Sequence, residues 1–156
     1  QYITFILIKL PYNSYKGDDI TRCIPLKKND EMKTSEKTEI EDNDLFNMGV
    51  HYIKQKITSE GFQIIEYQEP PFVPQFIVKK ANETYFLYIK SERSPFDLND
   101  IFSNEEIQGY VWSCQKRNMK LLLAGIVFSN GTNPDNPIYK EDKIETDFTG
   151  IINMFE

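Results

Sequence analysis

Apolar residues in this chain come in short blocks divided by polar stretches, and the spacing inside each block predicts an element. Tyr2–Leu10 (Y-I-T-F-I-L-I-K-L) is rich in β-branched and aromatic side chains and reads as a strand that Pro11 ends. Residues 27–44 hold almost no large apolar side chain and read as a linker or solvated loop. Asp44–Glu60 reads as a helix, because Phe46, Val50, Ile53 and Ile57 recur at spacings of four, three and four. Asp42 or Asn43 is the expected cap, and Gly61 the left-handed stop. Phe62–Tyr67, Gln75–Lys80 and Thr84–Lys90 read as strands. Pro70 and Pro71 force an irregular connection between the first two. Ala81–Glu83 fits a hairpin turn, with Asn82 suited to positive φ.

Ser103-Asn104-Glu105-Glu106 has the form of a capping box. The helix behind it runs to about Asn118 and puts Ile107, Val111 and Cys114 on one face. Lys120–Phe128 is an apolar run long enough for a strand buried on both faces. A Gly/Asn/Pro loop covers Ser129–Pro137, short strands follow at Ile138–Tyr139 and Lys143–Phe148, and Ile151–Phe155 closes the chain. One α/β domain over 1–156 accounts for this pattern. It has an N-terminal strand and extension at 1–26, a polar linker or loop at 27–43, a core at 44–128 and C-terminal strands at 129–156. Met32 is a candidate start of the native chain, which would make residues 1–31 an appendage.

Composition agrees with a packed domain: 40% of the 156 residues are hydrophobic and 13% aromatic. No apolar run approaches the roughly 20 residues a membrane helix needs, so no membrane partner is expected. The Ile3–Ile8 run is too short for a signal peptide. The formal charge of −6 counts against a dedicated nucleic-acid binder. It is uneven: residues 18–44 carry −4, residues 45–93 carry +1 and residues 94–156 carry −5. Cys23 and Cys114 form neither a zinc motif nor a disulfide framework, and a reducing cytoplasm is the simplest setting.

The middle of the chain carries a more specific pattern. A helix ending in glycine leads into Phe62-Gln63-Ile64-Ile65-Glu66-Tyr67. A proline-led strand, Pro74-Gln75-Phe76-Ile77-Val78-Lys79-Lys80, comes next, and then Tyr85-Phe86-Leu87-Tyr88-Ile89-Lys90 ends in a lysine. A helix and an apolar strand complete the unit. This αβββαβ order over 44–128 resembles the core of the PD-(D/E)xK nuclease superfamily, the restriction-endonuclease-like fold. The resemblance implies a second strand that opens with Pro-Asp and a third that ends with Asp/Glu-x-Lys. Two carboxylates would hold a divalent cation that activates water, with the lysine assisting. Here Gln75 stands at the aspartate position and Tyr88 at the acid position, while Pro74 and Lys90 remain. A neutral amide and a phenol do not replace two anionic donors around Mg²⁺.

Each of these residues also has a plain reading. Lys90 fits a solvated strand-end lysine, and Gln75 an ordinary polar residue at a strand start. Glu66, Glu83 and Glu92 are candidate relocated acids or simple surface carboxylates, and Asp44 suits the first helical turn. His51, the single histidine, has no paired nucleophile. Gln108 and Gln115 on the second helix are candidates to face the site. No Gly-rich phosphate loop, HExxH, GxSxG or CxxC occurs.

The expectation is a non-catalytic binding or interaction module on a nuclease-like fold. It would need no cofactor and would contact a partner through Gln75, Tyr88 and Lys90. The acidic balance favours a protein partner over nucleic acid. The first alternative is a Mg²⁺- or Mn²⁺-dependent nuclease whose acids have moved to Asp44, Glu66 or Glu92. The second is an α/β protein unrelated to nucleases.

Overall fold

In the computed structural model, residues 37–155 are described. The strand expected at Tyr2–Leu10, together with Cys23, Met32 and residues 27–36 of the polar segment, lies outside them. The described residues form a mixed α/β fold. Its elements run α1 (Asp42–Ser59), β1 (Gln63–Tyr67), β2 (Phe76–Lys80), β3 (Glu83–Arg93), α2 (Asn104–Arg117), β4 (Lys120–Asn130), β5 (Ile144–Phe148) and β6 (Ile152–Asn153). A 3₁₀ turn at Leu98–Asp100 interrupts the loop before α2.

Six strands make one sheet in the order β1-β2-β3-β4-β5, with β6 also paired to β4. β3 and β4 are parallel over nine consecutive pairs, from Tyr85↔Lys120 to Arg93↔Phe128. A parallel pair needs a long crossover, and α2 lies within it. The other pairings are antiparallel.

Alternation along the strands sorts their side chains between two layers. Tyr85, Leu87 and Ile89 of β3 join Leu122, Ala124, Ile126 and Phe128 of β4 under α1, where Leu45, Val50, Ile53 and Ile57 meet them. Phe86, Tyr88, Leu121 and Leu123 face α2 and pack with Cys114, Ile107, Tyr110 and Val111. The two central strands are therefore covered on both faces, as their apolar runs 85–89 and 121–128 require. α1 comes close to the sheet at Gly49, where an added Cβ would stand 2.9 Å from Ser91 Oγ and 3.0 Å from Ile126 Cγ2.

The helix ends follow local chemistry. Gly61 (φ 85°) and Asn118 (φ 53°) are left-handed. At both, the last carbonyls accept i−3 and i−5 bonds: Gly61 N–H to Thr58 and Phe62 N–H to Ile57, then Asn118 N–H to Gln115 and Met119 N–H to Cys114. Ser103 and Glu106 complete the expected capping box.

Several expectations are corrected. α1 begins at Asp42 rather than Asp44. Its N-cap is Glu41, which makes no side-chain cap bond, and Asp42 is the first helical residue, with its carboxylate paired to Arg93. The end of the polar segment is anchored rather than loose. Ile40 is buried and donates its N–H to Ile138 O at 2.9 Å, and Glu39 bridges Tyr139. Ile138–Tyr139 thus contributes this bridge rather than a strand of its own. The Arg93 guanidinium binds Asp42, Glu39 and the Ile40 carbonyl together, fixing this segment to the end of β3.

The β2–β3 hairpin puts its positive φ at Ala81 (52°) rather than Asn82. A left-handed alanine carries a Cβ clash that glycine lacks. Ala81→Gly should raise unfolding stability by about 0.5–1 kcal/mol in a urea titration. Asn82→Gly should bring no gain, and a loss of stability in Ala81→Gly would contradict this turn geometry.

Candidate functional site

The start of β2 and the second half of β3 bring the predicted residues together, but each is used internally. β2 pairs with β3 only as far as Phe76↔Leu87. The next inward-facing donor of β3 on that side, the Ile89 N–H, has no strand partner there. Gln75 lies one residue before β2 and is 6% exposed. Its Oε1 accepts the Ile89 N–H at 2.9 Å. A side-chain amide thus extends the ladder by one bond and spares a buried donor from desolvation.

Tyr88 is 2% exposed. Its ring stacks on Tyr110 of α2, centroids 3.8 Å apart and planes 20° from parallel. Burial pushes the Tyr88 phenol up, against the pull of a hydrogen bond with Ser113. The Tyr110 phenol is also raised by burial. Both rings therefore stay neutral at pH 7.

Lys90 shares its face of β3 with Tyr88 and reaches the surface beside α2. Its Nζ donates to Glu106 Oε1 at 2.9 Å and Oε2 at 3.1 Å. Glu106 also accepts the Ser103 N–H at 2.8 Å. The Lys90 hydrogen bond, followed by the Ser103 N–H, holds the Glu106 carboxyl below the usual carboxylate range.

The candidate acids are spread out. Asp44 is exposed on α1, the helix on the opposite face from Tyr88. Glu66 is exposed on β1 and accepts from Gln68 Nε2 at 2.9 Å. Glu83 is at the far end of β3, paired with Lys120 and accepting from the Tyr85 hydroxyl at 2.6 Å. Glu92 lines a cleft of about 320 Å³ with Asp42, Leu45, Ser91 and Arg93. His51 shares a hydrogen bond with Gln55 on the exposed side of α1. Gln108 and Gln115 are exposed on α2. Cys114 is buried against the sheet, and burial raises its thiol to about 11.

The residues at Lys90 do not fit a divalent cation. Gln75 Oε1 is occupied by a backbone donor, Tyr88 is a protonated phenol, and the one carboxylate at hand among the described residues, Glu106, already holds an ammonium. Among the described residues no group of three or more His, Cys, Asp or Glu side chains is arranged to hold a metal ion. Nor is any described helix long and apolar enough to cross a membrane.

A family model described as a domain of unknown function, DUF8840, matches residues 43–154. The chain belongs to the DUF8840 family. No curated protein matches it. The DUF8840 match runs from the first turn of α1 past β6, so it takes in the C-terminal strands along with residues 44–128.

Two contacts at this site of the DUF8840 chain escape sequence reasoning. Glu106 was legible as a capping residue, but nothing local links it to Lys90, sixteen positions earlier. Gln75 looked like an ordinary strand-start residue, and its acceptor role appears only once β2 is seen to stop short.

Two measurements test this geometry. Gln75→Ala should lose about 1–3 kcal/mol, because the Ile89 N–H is left buried without an acceptor; an unchanged urea midpoint would remove the ladder role. Glu106→Gln keeps a capping side chain and removes the charge. Since the folded Glu106 carboxyl titrates below its unfolded value near ~4.3, the pair's contribution is complete above that value and is lost as pH falls through the lower folded one. Solvent screening limits it to about 1 kcal/mol or less. The stability gap between wild type and Glu106→Gln should therefore be full at pH 6–7 and shrink at lower pH. A gap that grows on acidification would contradict the pair.

Proposed function

We propose that this chain is a non-catalytic binding module built on a nuclease-like α/β core, with a protein as its partner. One observation carries the reading: the three positions that match the nuclease pattern are all spent on internal contacts. Gln75 completes the β3 ladder, Tyr88 fills the α2 layer and Lys90 is neutralised by Glu106. Metal-assisted phosphodiester cleavage needs carboxylates that concentrate a cation beside the phosphate. Here the only such group in contact with Lys90 among the described residues is Glu106, and its charge is already balanced. The exposed part of this face is the Lys90–Glu106 pair, beside the half-buried Tyr110 ring, and this is the region offered to a partner.

The same pair also favours the second reading, a metal-dependent nuclease with relocated acids. Glu106 is an acid at the lysine, supplied by the helix instead of the strand. That reading needs a second carboxylate to join it, and Glu92 follows Lys90 on the same side of β3 by strand alternation.

Purified protein incubated with single-stranded DNA, duplex DNA or RNA in Mg²⁺ or Mn²⁺ should leave each substrate intact. Cleavage that requires metal and disappears in both Lys90→Ala and Glu106→Gln would overturn the non-catalytic reading in favour of the nuclease.

A further inference from the structure

The charged residues of the described fold are sorted by position. Lys79 and Lys80 end β2, Lys116 and Arg117 end α2, and Lys120 opens β4. The sheet gathers them around residues 83–86 of β3. Lys79 and Lys80 are opposite Thr84 and Glu83, Lys120 is opposite Tyr85, and the Arg117 guanidinium lies 5.5 Å from the Phe86 ring. Glu83 and Glu60 are the acids at this end. The other described residues carry 7 Lys and Arg against 16 Asp and Glu.

Most of these cations have no carboxylate partner among the described residues. Elsewhere Lys37, Lys90, Arg93 and Lys143 each form an ion pair. At this end Lys120 alone does, with Glu83. Three of the others rest on aromatic rings instead. Lys80 Nζ is 4.7 Å from the Phe62 centroid, Lys116 Nζ is 3.6 Å from that of Trp112, and Arg117 faces Phe86. A cation held over a ring keeps its charge and donors for an anion while its stem is already ordered. Trp112 is 60% exposed and supplies apolar surface next to the charge.

We infer that this basic end docks an acidic, aromatic-containing segment of a partner protein. Unpaired cations beside an exposed indole match alternating carboxylates and apolar side chains. The extent of the patch separates this partner from nucleic acid. A short acidic segment can stay within the basic end, whereas a phosphate backbone continues past it onto acidic surface, where like charge opposes binding within a Debye length of about 8 Å. The inference uses different residues from the Lys90 pair and does not depend on the nuclease-like reading.

The test is fluorescence anisotropy with a labelled peptide of about twelve residues that alternates Glu with Leu and Phe. The same peptide with Gln for Glu and a single-stranded oligonucleotide of equal length serve as rival probes. The acidic peptide should bind at low salt and weaken at least ~10-fold on raising NaCl to about 0.3 M. The Gln peptide should bind at least ~10-fold more weakly. The triple variant Lys79→Glu/Lys116→Glu/Arg117→Glu should lose at least ~10-fold in affinity, and Lys140→Glu/Lys143→Glu should bind as wild type does. If circular dichroism finds the triple variant unfolded, Lys79→Glu alone, on an exposed strand end, should still weaken binding several-fold. The inference is overturned if the acidic peptide does not bind, if charge reversal leaves its affinity unchanged, if the Gln peptide binds equally, or if the oligonucleotide binds more tightly.

Discussion

The parallel pairing of β3 and β4 is the constraint on which the remainder depends. Nine consecutive residues of each strand face one another, and almost every side chain of β4 is buried. Two adjacent strands of this kind cannot sit at an edge or face water on either side. They require a helix on each face, an antiparallel neighbour on each flank and a crossover long enough to reverse direction. α1, α2, β2 and β5 meet those requirements in turn. The close approach of Gly49 to Ser91 and Ile126 follows from the same demand, since a bulky residue there would lift α1 from the layer it must cover.

The candidate site inherits its character from this frame. β3 is longer than its antiparallel partner, so its second half projects past the β2 pairing, where the buried Ile89 N–H needs an acceptor and Lys90 a counter-charge. Gln75 answers the first need and Glu106 the second. Had Gln75 been an aspartate free to bind metal, the Ile89 N–H would compete for its oxygen. In this sequence the ladder has the group. The Lys90–Glu106 contact joins the start of α2 to β3, so the helix that covers the second layer is pinned by charge at one end and by the Tyr88–Tyr110 stack beside it.

Elements with strong periodicity were legible from the sequence. The apolar run 120–128, the 3.6-residue spacing of Val50, Ile53 and Ile57, the capping box and the glycine stop after α1 each rest on a local rule, and each is found. What escaped depends on contacts between distant residues. Ile40 looked too isolated to hold a polar segment in place, yet one buried side chain, a backbone bond to Ile138 and the Arg93 clip suffice. Asp42 reads as a cap but is the first residue of α1, and Arg93, fifty-one positions away, holds its carboxylate. Ala81 rather than Asn82 takes the left-handed geometry, because β2–β3 register decides which turn residue must do so. The roles of Gln75 and Glu106 were hidden for the same reason.

Trp112 has a consequence for any spectroscopic study of the molecule. The single tryptophan of the chain lies on the outer side of α2 with Lys116 over its ring. The emission of an indole in water shifts little when a protein unfolds. An unfolding curve followed by tryptophan fluorescence would therefore report the loss of one surface stack, and it could fall out of step with the melting of the layers beneath. Tyr88, buried under α2, stacks on the half-buried ring of Tyr110. Their near-ultraviolet dichroism, which needs fixed ring orientation, is the optical signal that belongs to the core.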